Sequence, residues 1–258
     1  MIICFSGTGN TARVAKRLSE ISADRIIMIN REFYDNPVVS LKEDEHIVWM
    51  FPIYSWGVPP IVESVINRVK GIAQDTRAWL IATCGDDSGY ADRQWRRLVT
   101  NRGMKAIGAF TVEMPNTYVT MNGFDVDPKE KAASKVARSE ERIKVIADAI
   151  MSGSGKSDVN RGLFPWLKSN VIYPWFVRHK MGPKYFHPTD ACKGCGTCVR
   201  SCPLSNINLI DNKPCWNDVC AFCLNCYHVC PAHAVDWKNT TARKGQVDGM
   251  KRYQEIDK

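Results

Sequence analysis

No run of about eighteen uncharged apolar residues, the length a helix needs to cross a bilayer, occurs in this 258-residue chain. No transmembrane segment is therefore expected. The most apolar stretch, residues 163–177, is interrupted by Pro165, Lys168 and Pro174. A basic segment leading into a cleavable apolar one is also missing. Met1 runs straight into Ile2, Ile3, Cys4 and Phe5, which read as a strand, and the expected location is cytoplasmic. An excess of acidic residues is absent too: 35 Lys and Arg stand against 27 Asp and Glu, giving a net charge of +8. No nucleic-acid-binding motif accompanies that charge, which removes nucleic acid from the expected partners. Low-complexity tracts are lacking as well.

Cysteine is not scarce, and eight of the eleven fall into two copies of one spacing. Cys192, Cys195, Cys198 and Cys202 read C-x2-C-x2-C-x3-C-P, and Cys220, Cys223, Cys226 and Cys230 repeat it. Zinc sites favour well-separated C-x2-4-C pairs rather than a run of four closed by proline. A disulfide framework needs an oxidising compartment, to which nothing points. The doubled spacing is that of a bacterial-type ferredoxin with two [4Fe-4S] clusters, in which each run's fourth cysteine serves the other cluster. Cys192, Cys195, Cys198 and Cys230 are thus expected on one cluster, and Cys220, Cys223, Cys226 and Cys202 on the other. Exposed clusters degrade in oxygen, so an anaerobic setting is expected.

Upstream, residues 1–151 alternate apolar runs with amphipathic stretches. The runs are 2–5, 25–29, 47–51, 79–83 and 106–112. Helical spacing recurs at Val14, Leu18 and Ile21, at Val62, Val65, Ile66 and Val69, over 91–100 and over 130–150. Pro59 and Pro60 suit a first helical turn. Five strands alternating with helices predict an α/β doubly wound parallel sheet. The interval 113–128 is too long for a simple connection and lies where functional loops occur. Residues 152–156 read as a short flexible break. The linker 152–186 follows, then the cysteine module and polar tail, 187–258. Residues 152–187 hold 6 Lys and Arg against 1 acidic residue, while 1–151 hold 20 against 19. That basic, aromatic-laced segment suits an anionic membrane surface or an acidic redox protein; the alternative is a solvated connector whose aromatics pack between domains.

The first strand ends in Ser6, Gly7, Thr8, Gly9, Asn10 and Thr11, and a helix begins there. Loop amides and the helix N-terminus welcome a phosphate, and the hydroxyls and Asn10 add donors. No Gly-Lys-Ser/Thr ending follows, which disfavours a nucleoside triphosphate. Gly7, Gly9 and Ala12 also satisfy the loose dinucleotide fingerprint, with Glu32 at the distance of a ribose-binding acid. A hydroxyl-dense loop suits a terminal monoester phosphate better. The loops after the third and fourth strands, Pro52, Ile53, Tyr54, Ser55, Trp56, Gly57 and Thr83, Cys84, Gly85, Asp86, Gly89, Tyr90, are expected to meet it at the sheet's switch point. Aromatics there can stack on a flat ring and amides can bond its edge, so FMN is the expected cofactor.

On the sequence 6–11, on 51–57 (FPIYSWG), 83–87 (TCGDD) and 114–118 (MPNTY), and on the doubled cysteine runs, the chain resembles a fusion of a flavodoxin-like domain with a small α+β bacterial-type ferredoxin domain. The resemblance implies a five-stranded sheet of order 2-1-3-4-5, FMN, two [4Fe-4S] clusters and electron transfer. It implies a redox protein partner, an acidic ferredoxin or flavodoxin. Free flavodoxins and ferredoxins are mostly acidic and this chain is basic, so their docking surfaces do not carry over. The leading functional expectation is an electron-transfer protein. The alternatives are a flavin-dependent reductase of a quinone or nitro compound, with 113–128 as its lid, and a redox-sensing interaction module. Cys4 and Cys84 are expected to pack, Cys215 is not required by either run, and His228 and His233 are expected to be structural. Asp86 and Asp87 more often shape a turn than act as acid and base.

Overall fold

The computed structural model describes residues 1–42 and 44–247; the end of the polar tail lies outside them. The five apolar runs become β1 (Ile2–Cys4), β2 (Ile26–Met28), β3 (Ile47–Pro52), β4 (Arg77–Cys84) and β5 (Lys105–Glu113). They pair in parallel, in the order β2-β1-β3-β4-β5. This is the flavodoxin-like doubly wound sheet expected from the alternation of runs. Parallel strands covered on both faces read as continuous apolar runs, and every residue of β3 from Ile47 to Phe51 is fully buried.

Successive residues serve opposite faces. Ile2, Cys4, Val48, Met50, Trp79 and Ile81 pack with α1 (Asn10–Ser22) and α5 (Lys129–Met151). Ile3, Phe5, Trp49, Phe51, Leu80 and Ala82 pack with α3 (Pro60–Arg68) and α4 (Ala91–Asn101). Burying each large side chain contributes about 1.5–3 kcal/mol, so this two-sided core fixes the sheet and with it the loops at its carboxyl edge. Between β2 and β3 lies α2 (Arg31–Asp35), absent from the sequence reading because it buries no residue; it is capped by Asn30, whose side chain accepts from the Phe33 amide at 2.9 Å.

Beyond the short break at 152–156, the linker packs against the sheet rather than running free. The Asp158 amide donates to the Ala109 carbonyl at 2.9 Å and the Thr111 amide to the Asp158 carbonyl at 3.1 Å. Asp158 thereby bridges Phe110 and covers the open edge of β5, a row of backbone groups that would otherwise stand unpaired. Then α6 (Pro165–Leu167), a π-helical turn (Lys168–Ile172) and α7 (Tyr173–His179) follow without a break as one helical strap. Both prolines that look like breakers sit where a missing amide costs little: Pro165 opens α6, and Pro174 opens α7 directly after the π turn.

The cysteine-rich part is a small α+β unit. β6 (Phe186–Pro188) pairs antiparallel with β9 (Val235–Trp237), and β7 (Ile207–Ile210) with β8 (Lys213–Trp216). α8 (Thr197–Ser201) and α9 (Asn225–His228) are short. Phe186, Phe222, Leu224, Tyr227, Val235 and Trp237 form its core, and Phe176 of the strap and Val119 of the 113–128 segment are buried in the same cluster. Among the described residues no helix is long and apolar enough to cross a membrane.

Candidate functional site

The loops after β3 and β4 meet at the sheet's carboxyl edge around a cavity of about 360 Å³, within the range of small-molecule sites. Pro52, Ile53, Tyr54, Ser55 and Trp56 form one side, and Cys84, Gly85, Asp86 and Asp87 a second. Asn116, Thr117, Tyr118, Met121 and Phe124 bring in the 113–128 segment. Ile172, Trp175 and Phe176 of the strap and Phe222, Cys223 and Leu224 of the cysteine-rich unit complete the wall. The sequence reading found the first two sides and the segment. It missed the strap and the second cysteine run, because neither is local to the sheet.

Ser55 and Trp56 adopt left-handed backbone, with φ of 44° and 67°, which costs bulky residues energy. The strap supports that turn. Ser169 Oγ donates to the Trp56 carbonyl at 2.7 Å. Lys168 Nζ lies 5.1 Å from the Trp56 ring centre and 2.6 Å from Asp87 Oδ2. Lys168 is thus committed within the molecule, as is Arg161, 2.6 Å from the buried Asp92.

Four expected ring-binding residues stand outside the cavity wall. Gly57 backs onto the Tyr173 ring, Gly89 onto Ser169, and the Tyr90 amide donates to Ser169 Oγ at 2.7 Å. Thr83 Oγ1 is 2.8 Å from Thr11 Oγ1. Gly57, Gly89 and Tyr90 thus meet the strap, and Thr83 meets α1. The glycine loop also lies beside the cavity rather than in its wall. Ser6 Oγ accepts from the Ala12 amide at 3.2 Å and Asn10 Nδ2 donates to the Pro115 carbonyl at 2.8 Å. With Thr11 joined to Thr83, three of the four side chains expected to serve a phosphate also bond the protein. Ser6 Oγ accepts in its bond, so its proton remains to be donated, along with Thr8 and the loop amides at the start of α1. Gly7 contacts the cysteine-rich unit directly: a methyl there would lie 2.4 Å from Cys223 Cβ.

A buried lysine, also missed, joins three parts of the site. Lys135 of α5 is fully buried; its Nζ donates at 2.7 Å to the Gly85 carbonyl and at 2.7 Å to Asp127 Oδ2. Asp127 also accepts from the Asn116 amide at 2.9 Å. Burial alone would raise the Asp127 carboxyl, but hydrogen bonds from Lys135, the Asn116 amide and Lys131 outweigh it and hold it down at about 2. The sequence signal was the buried stripe Ala132, Lys135, Ser139, Ile143, Ile146, in which a lysine occupies a core position.

The eight patterned cysteines gather into two rings with exchange between the runs. Cys192, Cys195, Cys198 and Cys230 surround one small void, and Cys202, Cys220, Cys223 and Cys226 another. Among the described residues no group of three or more His, Cys, Asp or Glu stands as a site for a metal ion. Donors aim at the sulfurs: the Asn206 amide at Cys202 Sγ (3.3 Å), the Ala234 amide at Cys230 Sγ (3.2 Å), the Phe222 amide at Cys220 Sγ (3.4 Å) and Trp216 Nε1 at Cys226 Sγ (3.5 Å). Asn206 and Ala234 hold the same place in each repeat. So do Gly194 and Gly196 in the first run and Phe222 and Leu224 in the second, all four with positive φ. Glycine meets that requirement freely, whereas Phe222 and Leu224 adopt it at a cost. Their side chains are the ones that face the cavity.

Of the remaining candidates, Cys84 is buried, and burial, reinforced by Asp87, Glu113 and Asp86, pushes its thiol up to about 12. An inert packing role follows. Burial likewise raises Cys4. Cys215 is exposed. His228 Nε2 lies 2.8 Å from the Thr117 carbonyl and His233 Nε2 2.8 Å from Tyr227 Oη, which makes both histidines braces, the first between the cysteine-rich unit and the cavity wall.

No family model matches the chain, and no curated protein does. Among solved structures it is similar to a Bacteroides uniformis protein assigned as a flavoprotein, at 19% identity over 44% of this chain and 88% of that one, with a TM-score of 0.38. It is also similar to the Trp repressor binding protein of Bacillus subtilis, at 13% identity over 58% and 97% of the two chains, with a TM-score of 0.36. The assignment of the architecture rests on the sheet order itself.

Proposed function

We propose that the chain is an electron-transfer protein that binds FMN at the carboxyl edge of the sheet and two [4Fe-4S] clusters in the two cysteine rings. A flavin exchanges electrons in pairs or singly and a cubane cluster singly, so the three groups together couple two-electron to one-electron chemistry. The observation that carries this reading is the position of Cys223. It belongs to the second ring, forms part of the cavity wall and abuts the glycine loop through Gly7. A group in the cavity and a group in that ring would therefore be separated by little more than one side chain.

The residues support the assignment in kind. Tyr54, Trp56, Tyr118 and Trp175 offer flat apolar surface to a planar ring. Thr8 and the loop amides offer donors to a phosphate. Amide and indole donors aimed at sulfur suit thiolates bound to iron. Electrons would enter from a redox partner protein and leave at the cavity or through the ring that contains Cys192. The second reading, a flavin-dependent reductase of a quinone or nitro compound, is favoured by one feature: the cavity wall contains Met121 and Phe124 of the 113–128 segment, side chains suited to a flat acceptor.

Anaerobic purification should yield about eight iron and eight sulfide per chain, with one FMN. Substitution of Cys230 by alanine should damage the cluster of the first run, since Cys230 sits in that ring. Zinc in place of iron, half the iron, or loss confined to the second-run cluster would refute the assignment. Sustained reduction of a quinone at saturating donor would favour the reductase reading.

A further inference from the structure

Apart from Trp175, the outer face of the strap takes no part in this chemistry. Its inner face is committed: Ser169 and Phe176 are buried, and Tyr173 Oη donates to the Val58 carbonyl. Its outer side carries Trp166, Leu167, Val171 and Trp175, and Leu163 and Phe164 lead into it, each between 45% and 77% exposed. Large exposed apolar side chains scattered singly need no explanation, but six within thirteen residues do. Charge supplies the second observation. From residue 159 to residue 189 there is no Asp or Glu. Arg161 and Lys168 are internally paired. Arg178, Lys180 and Lys184 form no ion pair among the described residues, and Lys180 and Lys184 lie instead over the rings of Trp175 and Tyr185.

We propose that this face docks the protein on an anionic lipid surface, with the strap lying in the headgroup plane. A helix with Trp, Phe and Leu on one side and basic residues flanking them is suited to lie in the interface without spanning it. Basic side chains add attraction to anionic headgroups. The face is a convex helix rather than a groove, and lipid accepts a convex apolar insertion without a complementary pocket. Trp175 both lines the cavity and reaches the surface, so docking sets the cavity beside the bilayer. The inference stands on the strap alone and does not depend on which cofactors the chain holds.

Flotation of the full-length, anaerobically purified protein with vesicles tests it. Phosphatidylcholine vesicles containing phosphatidylglycerol should carry the wild type, and pure phosphatidylcholine should carry far less. R178Q/K180Q/K184Q should weaken partition about a hundredfold, at roughly fivefold per basic residue. F164S/W166S/L167S should weaken it at least about tenfold, with an unchanged circular dichroism spectrum because these side chains are exposed. The wild type gives an independent reading: brominated lipid should quench tryptophan emission, since only Trp166 and Trp175 of the described tryptophans are exposed. Absence from anionic vesicles, or unaltered partition of the apolar variant, overturns the proposal. So does a wild-type dimer that the apolar variant abolishes, which would make the face a contact between copies. Salt-sensitive binding of an acidic ferredoxin, lost in the charge variant while vesicles are ignored, would assign the face to that protein instead.

Discussion

Replacing Gly7 by alanine tests the contact on which the proposed electron path depends. The added methyl would lie 2.4 Å from Cys223 Cβ, 3.0 Å from its carbonyl oxygen and 3.2 Å from its Sγ. Non-bonded carbons settle at about 3.5–4.0 Å, so a gap of about 1 Å must open between the glycine loop and the second cysteine run. Neither side yields easily, because the loop is fixed by β1 and α1 and Cys223 lies between the left-handed Phe222 and Leu224. Overpacking of this kind costs about 1–3 kcal/mol. For a chain of this size that corresponds to a fall in Tm of roughly 2–12 °C. Gly9→Ala is the control. Gly9 has φ of 97°, so alanine there strains the backbone by about 1–2 kcal/mol. Thermal unfolding should register both variants. Hydrogen exchange followed by mass spectrometry should separate them: Gly7→Ala should speed exchange over 222–224 and Gly9→Ala should not. A Gly7→Ala protein with wild-type Tm and wild-type exchange over 222–224 would show that the two parts do not bear on each other there.

Lys135→Met should leave Asp127 buried with its principal partner gone, at a cost of about 3–5 kcal/mol; chemical denaturation should show this, and adding Asp127→Asn should recover much of it. Acid should weaken the same junction. The Asp127 carboxyl titrates at about 2 in the folded chain against an ordinary 3.8, so the unfolded chain takes up the proton first. The stability it contributes, on the order of 2 kcal/mol, is complete above about pH 4 and disappears as pH falls towards 2. Asp24 is held low as well, so the decisive measurement is the pH dependence of the difference between wild type and Asp127→Asn, which should shrink across that window and stay flat if Asp127 is not linked to folding.

The sheet was legible because its strands are buried on both faces and so leave unbroken apolar runs. The cysteine exchange was legible because the two runs repeat one spacing. The strap was not. Pro165 and Pro174 look like breakers in sequence, and only the helix start at the first and the π turn before the second make room for them. Lys135 was hidden because lysine in a long helix usually faces water, and only its place in the buried stripe of α5 distinguishes it. Three glycine-loop side chains were read only as phosphate donors because the loop pattern does not show their bonds to Ala12, Thr83 and Pro115. The left-handed turns at Phe222 and Leu224 were not legible either, since a conformation that costs them energy cannot be seen in residue types alone.

The bridge from Asp158 to Phe110 has a consequence for modularity. By composition the chain divides after residue 151, and a designer grafting the flavodoxin-like part onto another protein would cut there. The physical seam lies elsewhere. Severed at 151, β5 loses its edge cover, Arg142 loses Asp158, the Trp56 turn loses Ser169, and the cavity loses one of its walls. The smallest transplantable piece of the first part therefore extends through the strap, and even that piece exposes the side of Gly7 against which Cys223 rests. Two sequence cassettes have become one mechanical object, and recombination at the apparent linker would join incomplete halves.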